Sequence, residues 1–146
     1  MDFRKVFYML LALPMTWSVA DPVFSQELPG EPGSLDERNA YLKIRPGYQK
    51  CLDAADASMP AMIRCNQAEF TYQDKRLNAA YKRLNSTLDP AAREVLVKEE
   101  RAWIADKERD CAIPKDAGQG ELLDAVTCSV TYTVRRSTVL ERRLGD

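Results

Sequence analysis

The chain has 146 residues, 45% hydrophobic and 29% charged, with a formal net charge of −1, four cysteines, eight prolines and no histidine. That length holds one modest domain with enough apolar residues for a core, and the near-neutral balance supplies no positive field to draw it to nucleic acid or anionic lipid. Without histidine it lacks the usual general base near neutral pH, the commonest zinc ligand and every imidazole-based triad, so neither an enzyme nor a bound cofactor or metal is expected.

At the start, Arg4 and Lys5 precede a 12-residue apolar run, Val6 to Trp17, which closes on Ser18-Val19-Ala20 before Asp21-Pro22. This basic, apolar, small-residue order is that of a cleaved secretory signal over residues 1–20, and the run falls short of the ~20 residues that a spanning helix needs. The expectation is an exported chain, periplasmic or secreted, with no stable membrane insertion. In such a compartment Cys51, Cys65, Cys111 and Cys128 read as structural disulfides, and no Cys-x-x-Cys spacing favours a metal or redox site.

Residues 21–45 are punctuated by Pro22, Pro29, Gly30, Pro32 and Gly33, which predicts a flexible leader with one or two helical turns across Leu35 to Ile44. The folded domain is expected over residues 46–144. Pro46 opens a short segment ending near Asp56. Ser58-Met59-Pro60 then reads as a helix start, with Ser58 as cap and proline in the first turn. Phe70, Leu77, Tyr81, Leu84 and Leu88 recur at helical steps. Asp89-Pro90 ends that helix and caps the next, which runs to about Ala112 and is expected to bury Val95, Leu96, Ala102 and Trp103. Pro114, Gly118 and Gly120 make a loop.

The last segment, Glu121 to Leu144, carries a helical stripe of Leu123, Val126, Val130, Leu140 and Leu144. It is also dense in β-branched residues of strand propensity. A lone edge strand would have no partner, so helix is the better reading. The fold class is therefore all-α: a small disulfide-stapled bundle of two long antiparallel helices, a third long helix and a short N-terminal one.

Sequence order pairs Cys51 with Cys65 and Cys111 with Cys128. The hairpin allows a rival, Cys65–Cys111 with Cys51–Cys128, because Cys65 and Cys111 lie about equally far from the turn near Leu88. Either pairing gathers the cysteines at one end. Glu99, Glu100, Asp106, Glu108 and Asp110 crowd one helix at spacings typical of a solvated face rather than a catalytic pair of acids. Arg135-Arg136 and Arg142-Arg143 form a basic stripe suited to pairing with neighbouring acids. Trp103, at helical spacing, reads as core.

The run Met62-x-x-Cys65, Asp74-x-x-Leu77-Asn78-x-x-Tyr81-x-x-Leu84, Glu100-Arg101-Ala102-Trp103, then Cys111, Cys128, Thr133, Arg136 and Leu140, resembles the LprI-like family of lysozyme inhibitors. The resemblance covers about Cys51 to Leu140. It implies a small exported helical domain that binds a protein, with lysozyme or another peptidoglycan-cleaving enzyme as the partner and occlusion as the mode. The alternative is a periplasmic structural or assembly factor that binds another envelope protein or the cell-wall polymer. Family positions that fall to binding or to structure are Asp74, Asn78, Tyr81, Trp103, Lys107 and Arg136. Asp74, Asn78 and Tyr81 share one helical face, either tying that helix to its neighbour or forming a polar recognition ridge. Two departures stand out. Glu100 occupies the region where the family carries glutamine, and Lys107-Glu108 replaces arginine-aspartate, losing the two-pronged guanidinium contact.

Overall fold

The computed structural model describes residues 33–145; residues 1–20, expected to form a signal, and residues 21–32 of the expected leader lie outside them. Five helices fill the described residues, with no strand among them: α1 Leu35–Tyr41, α2 Pro46–Ala54, α3 Met59–Thr87, α4 Pro90–Asp110 and α5 Gln119–Leu144.

Local chemistry sets the boundaries. Prolines stand in the first turns of α2, α3 and α4, where a missing N–H costs nothing. Asp89 caps α4 by accepting the Ala92 N–H at 2.9 Å, whereas the Ser58 side chain makes no capping bond to α3. At α5, Glu121 reaches back to the Gly118 N–H at 3.0 Å. Gly145 ends that helix at φ 82°, a left-handed conformation that suits glycine. The strand-prone stretch of α5 is helical throughout. Thr127, Ser129, Thr131, Thr133, Ser137 and Thr138 each donate a hydroxyl hydrogen bond to the carbonyl four residues earlier, which satisfies these groups inside a helix.

Side-chain contacts fix the directions. Phe70 packs against the Val130–Val134 cluster, Ser137 donates to the Gln73 carbonyl at 3.3 Å, and Arg76 meets Glu141, so α3 and α5 run parallel. On α4, Glu99 meets Arg143, Glu100 meets Arg136 and Asp110 meets Tyr132, so α4 runs opposite to α5. The most extensive packing is the α3–α5 pair rather than the α3–α4 hairpin. Leu77, Ala80, Leu84, Leu96, Trp103, Tyr132 and Leu140 form the main core. Val95 is 54% exposed and Ala102 is also exposed. The buried face of α4 is Leu96, Glu100 and Trp103, spaced by four and three, and Val95 and Ala102 lie about 100° off it.

The disulfides are Cys51–Cys65 and Cys111–Cys128, with Cα atoms 5.8 and 5.5 Å apart, which excludes the rival pairing. Both sit where α3 begins, α4 ends and α5 begins. Residues 35–45, read from composition as leader, include α1 and a docked segment. Leu42 is 8% exposed and packs with Val130 and Val134.

Candidate functional site

Along α3, Asp74, Asn78 and Tyr81 line one side of an open groove whose other side is Val97, Arg101 and Ile104 of α4. Leu77 and Trp103, both 6% exposed, lie beneath, and the cavity measures about 400 Å³. Its lining is mostly apolar. At one end the Lys107 ammonium stands 5.0 Å from the Trp103 ring centre and 5.6 Å from that of Phe70, within cation–π range. A compact ammonium suits that position between two rings. Asn78 Nδ2 donates to Asp74 O at 2.8 Å and to Asp74 Oδ2 at 3.0 Å, so this pair bonds along its own helix and does not tie α3 to a neighbour.

Arg136 does not line the groove. Its Nε and Nη2 donate to Glu100 Oε1 at 2.9 and 2.5 Å, and Nη2 reaches Glu99 Oε2 at 3.5 Å. Glu100 lines the groove, so Arg136 fixes one of its walls from behind. Two members of the basic stripe of α5, Arg136 and Arg143, are thus paired on α4, with Arg143 also on Glu99, while Arg142 donates to the Tyr41 hydroxyl. The sequence-predicted residues Asp74, Asn78, Tyr81, Trp103 and Lys107 come together, and Arg136 acts one residue away.

The family model for lysozyme inhibitor LprI matches residues 51–140, a span that holds the groove and both disulfides. The chain belongs to the LprI family. Comparison with the curated proteins and with the solved structures gives no match. Within this LprI domain, the Glu100 carboxylate faces the Arg136 guanidinium, a contact charged on both sides. Among the described residues no group of three or more histidine, cysteine or acidic side chains is placed to hold a metal ion, and no helix is long and apolar enough to cross a membrane.

A second polar assembly of the LprI domain escaped the sequence reading. Glu69 and Gln73 are fully buried on α3. Gln73 Nε2 donates to Glu69 Oε1 at 2.7 Å, and Arg76 Nη1 donates to Gln73 Oε1 at 2.9 Å. Arg76 forms a two-pronged pair with Glu141 at 2.6 and 2.7 Å and donates to Thr138 Oγ1 at 3.1 Å. A stretch of buried positions on α3 therefore runs from apolar Leu84, Ala80 and Leu77 into polar Gln73, Glu69 and Asn66. The available signal was those polar residues continuing the apolar stripe at steps of three and four, with Arg76 one turn from Gln73.

Proposed function

We propose that this protein is an exported inhibitor that binds lysozyme or a related peptidoglycan-cleaving enzyme and blocks it by occlusion, using the α3–α4 groove and its rims as contact surface. The observation that carries this reading is the LprI match across the stapled domain that builds the groove. Export is supported by the signal pattern of residues 1–20 and by two disulfides, which persist in oxidising compartments. Catalysis has no part in it. Apolar Tyr81 and Ile104 offer area that a partner can desolvate, and Ile104 is 42% exposed.

Titration of the protein lacking residues 1–20 into a lysozyme turbidity assay tests the reading. Inhibition that saturates near one equivalent supports it, and no inhibition of several lysozyme types at large excess refutes it. Ile104→Glu and Tyr81→Ala are expected to weaken inhibition by about tenfold or more each, the size of a typical interface hot spot, with circular dichroism checking that Tyr81→Ala, which also trims a side chain packed on the core, stays folded. Unchanged inhibition by both variants would move the contact surface elsewhere.

A further inference from the structure

Residues 42–45 lie across α3 and α5 in the manner of a bound peptide. The Leu42 side chain enters an apolar patch formed by Val130 and Val134. Its carbonyl accepts a hydrogen bond from Arg76 Nη1 at 2.7 Å, and the Lys43 carbonyl accepts one from Gln73 Nε2 at 3.0 Å. The Arg45 N–H donates to Glu69 Oε1 at 3.3 Å and its Nε to Glu69 Oε2 at 2.7 Å. Lys43 Nζ sits 2.8 Å from Glu141 Oε2. Main chain, apolar side chain and both cations are all received, with the Glu69 carboxylate taking both the Arg45 N–H and its guanidinium.

The receiving groups are held independently of the segment. Glu69, Gln73, Arg76, Thr138 and Glu141 are joined to one another by their own bonds across α3 and α5. A face already organised to hold two carbonyls, one N–H and two cations is preorganised for a basic ligand that turns as residues 42–45 do. The segment also lies outside the family match, which begins at Cys51, while α1, to which it leads back, has no buried residue. It turns at Lys43 through φ 55°, a left-handed conformation unfavourable for lysine.

We propose that this α3–α5 face is a binding site for a cationic segment of a partner protein, turned after its apolar residue and of the pattern apolar–basic–apolar–basic, and that residues Leu42-Lys43-Ile44-Arg45, which close the last turn of α1, occupy it in cis. The tethered segment competes at an effective concentration on the order of millimolar, so a partner enters by adding contacts beyond these four residues. Charge complementarity defines the occupant: two carboxylates, Glu69 and Glu141, face its two cations. This site is separate from the groove, and its test is independent of lysozyme.

The probe is a labelled peptide of sequence Tyr-Leu-Lys-Ile-Arg-Pro, with a control in which glutamate replaces lysine and arginine. In the full chain carrying Leu42→Ala and Arg45→Ala, fluorescence anisotropy is expected to show the basic peptide binding about tenfold or more tighter than to wild type, once the tethered competitor is weakened. Adding Glu69→Gln is expected to remove that gain. If the helical, disulfide-bonded variant binds neither peptide, or both alike, the proposal fails. It fails equally if the variant forms a dimer that takes up no peptide, since the face then receives a second copy. Should the variant not fold, amide exchange of wild type decides: excess basic peptide is expected to accelerate exchange at residues 42–45, and unchanged exchange overturns the proposal.

Discussion

Ala57 adopts φ 58° in the turn between α2 and α3, directly after Asp56 at φ 46°. The left-handed region costs a residue with a β-carbon roughly 1 kcal/mol, and glycine avoids that cost while losing more chain entropy. Ala57→Gly is therefore expected to stabilise the fold by up to about 0.5–1 kcal/mol, read as a raised denaturant midpoint with an unchanged slope. Glu141 illustrates a different single-residue effect. Burial alone raises its pKa, but the hydrogen bonds and charges of Arg76 and Lys43 outweigh it and hold the carboxyl below the ordinary glutamate range. The folded state thus releases this proton more readily than the unfolded chain. The resulting stability is full above the unfolded value and is lost as pH falls through the lower folded one. Glu141→Gln is expected to cost stability at about pH 7 and progressively less toward about pH 3, measured by urea unfolding at both. A penalty equal at both pH values would show that the charge of Glu141 is not what matters. Neither effect was legible in the sequence. Ala57 carries no mark of its backbone angle, and Glu141 finds Arg76 across 65 residues of chain.

At the scale of elements, α4 is, of the three long helices, the one held by the fewest buried side chains, namely Leu96, Glu100 and Trp103. The Glu100–Arg136 pair is therefore a principal tie between α4 and α5, with side chains 11% and 12% exposed. Removing one member strands the other. Glu100→Ala is expected to destabilise by about 3 kcal/mol, whereas Glu100→Met with Arg136→Met is expected to recover most of that loss, since an apolar pair needs no desolvation of charge. Paired thermal melts of single and double variants check this. Near the end of α4, burial followed by the bond to Asp110 pushes the Tyr132 hydroxyl up to about 12. That contribution holds below the ordinary tyrosine value and disappears as pH rises through about 12. Helix ends were legible because prolines and Asp89 pointed one way, and α5 was legible once its apolar stripe was set against the strand propensity of its β-branched residues. The groove was half legible. The spacing of Asp74, Asn78 and Tyr81 placed them on one face, but sequence alone did not say that this face borders Trp103 and Lys107, nor that Arg136 stands behind Glu100.

For the whole molecule, the two disulfides and residues 42–45 hold the chain by different kinds of contact, covalent in one case and hydrogen-bonded and apolar in the other. Cys51–Cys65 and Cys111–Cys128 span 14 and 17 residues, and short loops of that size contribute about 3 kcal/mol each in the chain-entropy model. Cys51→Ser is expected to lower the thermal midpoint by several degrees, as is Cys128→Ser, and differential scanning calorimetry of each variant measures it. An unchanged midpoint in either would show that its bond does not stabilise the fold. Nearest-neighbour cysteine pairing was readable from order along the chain. The extent of the folded body was not. Proline and glycine composition described residues 21–45 as leader, while the docking of Leu42 and Arg45 depends on partners that only the folded α3 and α5 bring together.

The parallel pairing of α3 with α5 has a consequence for the order of events in folding. The largest packed surface joins the first long helix to the last, and its ties, such as Arg76 to Glu141, connect residues 65 positions apart. Closing so long a loop must precede the contacts that reward it, so the chain gains little cooperative stability until α5 is complete. A nascent or threading chain that lacks residues 119–144 keeps α3 without its main partner and stays open. A protein assembled this way reaches its final shape only once α5 has packed, which makes oxidation of Cys111 with Cys128 a late, locking step.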